Sequence, residues 1–141
     1  MSNLIHDNNT TISELTKKLA TTLTERGLRL TTAESCTGGN LAVALCAEEN
    51  TAEFYDVGMV VFSDAAKERI LGVRHETIER FTAVSEQTVT EMAAKIRDIA
   101  EADIGVAISG YAGPEGGDDG TAAGTVCFGW NIRGQTETRT V

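Results

Sequence analysis

Ser35 heads the residues of this chain that could do chemistry. It stands in Thr32-Ala33-Glu34-Ser35-Cys36-Thr37-Gly38-Gly39, where an apolar strand pattern gives way to a helical one. The two glycines let backbone N–H groups approach a ligand. A hydroxyl at such a turn faces the positive end of the following helix, which favours an alkoxide-like nucleophile and a developing oxyanion. The competing reading is that Ser35 or Thr37 merely caps that helix. A serine nucleophile needs a base, and histidine is scarce: His6 lies in a polar start expected to be disordered over residues 1–10, and His75 in a charged segment after Gly72. A Ser-His-Asp triad is therefore not expected. Lys67 is the better base, because it falls in the first turns of a predicted helix, where the dipole works against its ammonium form. The alternative is a solvated surface lysine beside Glu68 and Arg69.

A second glycine-rich stretch, Ser109-Gly110-Tyr111-Ala112-Gly113-Pro114-Glu115-Gly116-Gly117, is expected to expose several N–H donors toward a nucleotide. Its own Glu115, with Asp118 and Asp119 beyond it, would repel a phosphate that they faced, and a plain surface loop is the alternative. Neither GxxxxGK[ST] nor GxGxxG occurs, so no NTPase loop or dinucleotide fingerprint is expected. Cys36, Cys46 and Cys127 have no CxxC spacing, which suits reduced thiols better than a disulfide framework or a zinc site. Cys36 reads as a small packing residue rather than the nucleophile.

The elements that must position these residues follow from periodicity. Ile12, Leu15, Leu19 and Leu23 recur on one helical face, with a capping box at Thr11 and Glu14 and a glycine stop at Gly27. Leu28 to Ala33 reads as a strand into the Ser35 turn, followed by a helix carrying Leu41, Val43, Ala44 and Leu45. Asp56 to Phe62 reads as a buried strand; Ser63 then caps a helix over Ala65 to Leu71 that Gly72 ends. Ser85 opens another helix with the apolar stripe Val89, Met92, Ala93, Ile96 and Ile99. Strands are expected at Ile104 to Ile108, Thr125 to Trp130 and Thr136 to Val141, with an irregular stretch from Gly110 to Gly124. Helices alternating with strands give an α/β layered domain.

Composition narrows the function. The 141 residues suit one domain, 1–141, and 41% apolar content permits a packed core. Lys and Arg number 12 against 21 Asp and Glu, a net charge of -9 without a basic cluster. Nucleic acid is thus a poor partner, and no DNA affinity is expected. No apolar run approaches the roughly 18 residues of a membrane span, and the start lacks the order of a signal peptide, so a cytoplasmic location is expected.

Taken together, the Thr32–Gly39 motif, Gly58 through Ser63 with Ala66-Lys67 and Leu71-Gly72-Val73, Ala83-Val84-Ser85, the Ser109–Gly117 loop and Gly124-Thr125-Val126 resemble the CinA family. More narrowly they resemble its C-terminal PncC-type domain, an amidohydrolase acting on nicotinamide mononucleotide. The resemblance implies a three-layer α/β/α sandwich that converts the carboxamide to nicotinate mononucleotide and ammonia without metal or cofactor. It puts Ser35 on the nucleophile and Lys67 on the lysine that deprotonates it. Thr37, Gly38, Gly39, Ser109, Gly110, Tyr111, Gly113 and Gly116 fall where that family's motifs line the substrate. The family's third group, a tyrosine five residues before the lysine, is Phe62 here, and phenylalanine neither donates nor accepts a proton. The expectation is an amidase fold with impaired or lost activity. Its alternatives are a working amidase in which Tyr111 compensates, and a non-catalytic nucleotide-binding or interaction module. A nicotinamide mononucleotide-like small molecule is the implied partner; a homo-oligomer is left open. Family members continue past the last strand into a further helix, so a bare packing surface is expected.

Overall fold

The first helix begins where its cap residues require. In the computed structural model, which describes residues 10–141, α1 spans Ile12–Arg26: Thr11 accepts from the Glu14 amide, the Glu14 carboxylate accepts from the Thr11 amide, and Gly27 closes the helix at φ 64°. Both ends thus have their orphan backbone groups satisfied. His6 and residues 1–9 of the expected disordered start lie outside the described residues. The face that α1 buries is not the expected stripe. Ile12 is 70% exposed and Leu15 and Leu19 are also open, whereas Thr16, Ala20 and Leu23 turn inward. The Thr16 hydroxyl donates to the Glu48 carboxylate and the Ser13 carbonyl, fixing this rotation. Ala20 and Leu23 then join Leu30, Leu45, Phe54 and Tyr55 in one apolar cluster.

Strand β1 (Leu30–Glu34) starts two residues later than its apolar pattern, and α2 (Asn40–Cys46) follows the Ser35 turn. After a short 3-10 turn, Thr51–Glu53, come β2 (Tyr55–Val60) and α3 (Asp64–Ala66), which runs directly into a π turn, Lys67–Leu71. Then come α4 (His75–Phe81), α5 (Glu86–Ala100), β3 (Ile104–Gly110), β4 (Val126–Ile132) and β5 (Gln135–Thr140). Helix α4 has no sequence signature because only Thr77 and Ile78 are buried, too few to set a period. In α5, Val89, Met92, Ala93 and Ile96 are fully buried, but Ile99 at the last turn is 46% exposed, so the stripe ends one turn early.

The sheet order is β2-β1-β3-β4-β5, with β1 parallel to both neighbours and β4 and β5 antiparallel. Helix α5 crosses one face and touches every strand; α1 and α2 cover β1 and β3 on the other, which makes a layered α/β/α fold. Strand alternation in β4 sends Cys127, Gly129 and Asn131 toward α5. Phe128 and Trp130 stack at 5.9 Å on the opposite face, half-buried, beside exposed Ile132.

Two glycines set how closely α5 lies on the sheet. A Cβ on Gly129 would come within 2.6 Å of the Val89 carbonyl oxygen, and one on Gly105 would meet the carbonyl of Ala93, one turn further along the helix. Backbone cannot yield there as a flexible side chain would. Gly129→Ala is therefore expected to lower stability by about 1–3 kcal/mol, the usual range for overpacking. Gly113→Ala, at a position with nothing within 4 Å, should leave the unfolding midpoint unchanged. Parallel urea titrations of the two variants check this.

Candidate active site

The strand order reverses at β1, since the chain passes to β2 on one side and to β3 on the other. Open α/β sheets form their ligand crevice at such a point, outside the carboxyl ends of the strands. Ser35 is the first residue past β1. Its amide donates to the Ile108 carbonyl of β3 at 2.9 Å, and the Val61 amide, just past β2, donates to the Glu34 carbonyl at 2.9 Å. Three strand ends are thus tied around one hydroxyl.

The structure brings Ser35 and Lys67 together. Lys67 Nζ lies 3.0 Å from Ser35 Oγ and 3.1 Å from the Phe62 carbonyl oxygen, while Ser35 Oγ is 3.4 Å from that same oxygen. Lys67 is 1% exposed, which removes the surface-lysine reading. Burial pushes its amine below the ordinary lysine range, opposed by Asp64 and Cys36. Desolvation is the main cause, and Lys67 stands where the sequence places it, in the first turn after the Ser63 cap, its amide donating to the Ser63 carbonyl at 3.0 Å as the π turn begins. As an ammonium it donates to both oxygens. As a neutral amine it donates to the Phe62 carbonyl and turns its lone pair to the Ser35 hydroxyl, which is the arrangement of a base poised on a nucleophile.

Sequence reasoning missed Glu34. Its carboxylate is buried, and it accepts from the Thr37 hydroxyl at 2.6 Å, the Leu41 amide at 2.9 Å and the Ala42 amide at 3.0 Å. Gly39, at the N-cap of α2, has no side chain to cap with, so Glu34 serves the helix end from inside the sheet. The signal was present: a carboxylate at the inner end of an apolar strand must find donors, and the next ones in sequence are the start of α2. The finding corrects two expectations. The positive end of α2 is occupied by Glu34 and is not left for a developing oxyanion. Thr37 spends its hydroxyl on Glu34, and the Gly38 amide donates to the Ser35 carbonyl at 3.0 Å, building the turn. Gly39 adopts φ 101°, with Val60 Cγ2 3.5 Å from where its Cβ would stand.

The second loop also closes on itself. Tyr111 and Gly117 donate their amides to the Thr125 and Thr121 carbonyls, and Gly124 donates to Tyr111. Two of the expected open N–H donors, those of Tyr111 and Gly117, are thus spent inside the loop. Gly110 and Gly116 are packing positions, since a Cβ on either would meet the Thr125 or Thr121 carbonyl, while Gly113 stands in open space. Ser109, buried at the end of β3, is one residue beyond Ile108 and so borders Ser35. Burial pushes the Tyr111 hydroxyl up, with the Asp119 charge adding to the shift and Thr82 opposing it, and no hydrogen bond joins this hydroxyl to the Ser35–Lys67 pair among the described residues. Phe62 contributes its carbonyl; its ring is 70% exposed. Cys36 is half-buried with its thiol pushed up by desolvation, which is not the signature of a reactive thiolate. A groove between α1 and the 44–53 segment contains none of these residues.

Among the described residues no carboxylate lies within ion-pair distance of Lys67, so its ammonium is bought at the expense of stability. Lys67→Met keeps the length and removes the charge. Its melting temperature at neutral pH is expected to equal or exceed that of the wild type, as scanning calorimetry can check; a drop of several degrees would show a structural role for the amine.

Comparison with known proteins agrees with this architecture. Residues 12–141 match the model of the CinA C-terminal domain. The chain is 56% identical to Protein YdeJ of Escherichia coli K12 over 91% of this chain and 74% of that protein. It is 40% identical to the nicotinamide-nucleotide amidohydrolase PncC of the same organism over 91% of this chain and 78% of that protein. The crystal structure of a CinA superfamily protein from Enterobacter cloacae superposes with a TM-score of 0.93 at 79% identity, covering 100% of this chain and 83% of that one. The crystal structure of the competence/damage inducible protein CihA from Agrobacterium tumefaciens gives a TM-score of 0.87 at 38% identity, covering 92% of this chain and 79% of that one. With strand order, strand-end serine and buried lysine in place, the chain belongs to the CinA C-terminal domain family.

Proposed function

We propose that this protein is a nicotinamide-nucleotide amidohydrolase homologue in which Ser35 is the nucleophile and Lys67 its base, with carboxamide turnover impaired by Phe62. The observation that carries this reading is the 3.0 Å contact between Ser35 Oγ and a buried lysine amine that has no carboxylate partner. The printed activity of PncC, 40% identical, supports the substrate class.

In this mechanism the Lys67 amine takes the Ser35 proton as Oγ attacks the carboxamide carbon. The tetrahedral intermediate then expels ammonia as Lys67 returns that proton to the leaving nitrogen, a transfer that a phenol at position 62 would assist. Water hydrolyses the acyl-serine with Lys67 acting as base again, and the product is nicotinate mononucleotide. Phe62 holds the amine through its carbonyl but has no proton to give. No hydrogen bond joins the Tyr111 hydroxyl to the pair among the described residues, which supports impairment over compensation by that group.

Loss of one proton-transfer partner costs roughly 100-fold to 10,000-fold in rate. Ammonia release from nicotinamide mononucleotide is expected near background for the wild type and clearly above it for Phe62→Tyr, with Ser35→Ala abolishing the gain. A thermal upshift with nicotinamide mononucleotide is expected in all three. Robust wild-type turnover would overturn the impairment; absence of any upshift would move the protein to a non-nucleotide role. The pH dependence follows from the lowered Lys67 pKa. The active form is the neutral amine, so turnover by Phe62→Tyr should rise with pH and level off at a midpoint below the ordinary lysine range. A midpoint at or above that range would exclude Lys67 as the base.

A further inference from the structure

Resting on the Ser35–Lys67 reading, we propose that the site is a serine esterase for acyl esters with acidic alcohol leaving groups, and prefers them to carboxamides. The inference comes from an inventory of protons around the dyad. Attack needs a nucleophile and a base, and both are present within 3.0 Å. Departure of an amine needs a proton delivered to nitrogen, and the proton at hand is the one Lys67 has taken from Ser35. Around Ser35 the polar contacts are Lys67 Nζ and the Phe62 carbonyl, and the latter only accepts. Glu34 is committed to Thr37, Leu41 and Ala42 on the α2 side. The Tyr111 hydroxyl makes no hydrogen bond to either member of the pair among the described residues, and the exposed Phe62 ring carries no hydroxyl. Lys67 must therefore act alone as base, as acid and as base again. A phenolate leaving group removes the middle task, because it departs as an anion without protonation.

The steps balance without any further reagent. Ser35 Oγ forms a bond to the ester carbon while its proton passes to Lys67. The intermediate collapses, the bond from carbon to the phenolic oxygen breaks, and the phenolate leaves. Lys67 returns its proton to solvent. Water then attacks the acyl-serine, giving one proton to Lys67, which passes it to Ser35 Oγ as the acyl–oxygen bond breaks. The products are a carboxylate and a phenolate, with two protons released to solvent. The exposed Phe62 ring at this mouth offers an apolar surface against which an aromatic leaving group can lie.

The test uses the intact chain and 4-nitrophenyl acetate, with nicotinamide mononucleotide in parallel. Intact-mass spectrometry with peptide mapping should show one acetyl group on Ser35. Nitrophenolate release should fall to the uncatalysed rate in Ser35→Ala and at least about 100-fold in Lys67→Met. Phe62→Tyr should raise ammonia release by a factor at least about 100 times greater than any change in ester turnover. A second measurement needs no variant: across acetate esters of increasingly basic phenols, wild-type acylation should fall steeply, as it does where no acid assists departure. If Ser35 is acetylated but the leaving-group dependence is flat, or wild type releases ammonia as fast as nitrophenolate, the ester preference is wrong while the dyad stands. If folded wild type is neither acetylated by the ester nor phosphonylated at Ser35, with loss of fluoride, by a small fluorophosphonate, the dyad reading itself fails and takes this inference with it.

Discussion

The site depends on a lysine amine held out of water by neutral oxygens alone. Lys67 Nζ has Ser35 Oγ and the Phe62 carbonyl as partners. A carboxylate there would repay the desolvation of the ammonium and raise its pKa, leaving a salt bridge in place of a base. The surrounding structure keeps carboxylates away. Ser63 caps α3 so that Lys67 enters the π turn, and Gly72 at φ 87° ends that turn, returning the Val73 amide to the Lys67 carbonyl. The π turn is the local irregularity that carries the side chain inward, a common place for such turns in functional sites.

Glu34 is the counterpart of that constraint. It is as deeply buried as Lys67 and one residue from Ser35, yet the two charges do not pair. The pleat explains why: Glu34 turns toward α2, whereas the π turn bearing Lys67 packs with α5 on the other side of the sheet. Each oxygen of the carboxylate is consumed by donors of the Thr37 hydroxyl and the α2 start. The carboxylate is thereby anchored by a helix end, while burial without a carboxylate partner holds the Lys67 amine below the ordinary lysine range.

How much of this could be read from the chain depends on whether the cause was local. The α1 caps, the α5 stripe through Ile96 and the strand-to-helix turn at Ser35 follow from short-range spacing, and their residues stand where that spacing puts them. The rotation of α1 did not follow, because a hydrogen bond to Glu48, far away in sequence, outranks the better apolar stripe. Helix α4 was illegible because its buried side is two residues wide. In the site, Ser35 and Lys67 were legible as types, but the reason Lys67 loses its charge was not: burial is a property of the assembled layers. Glu34 was passed over as part of a motif, since a carboxylate without visible partners reads as solvated until a helix end is placed against it. Gly38, Gly110 and Gly116 look like phosphate-binding glycines in sequence, whereas in the fold they serve turns and close packing.

The departure at position 62 divides into two parts that sequence alone merges. What residue 62 gives the dyad is its main-chain carbonyl, which orients the amine so that the lone pair meets Ser35. That contribution is common to every amino acid that leaves the strand end intact. What its side chain gives is chemistry at the crevice mouth, where the ring is largely in solvent. A change of side chain there leaves the contact between Lys67 Nζ and the residue-62 carbonyl in place, so the geometry of the Ser35–Lys67 pair is separable from the chemistry of that side chain.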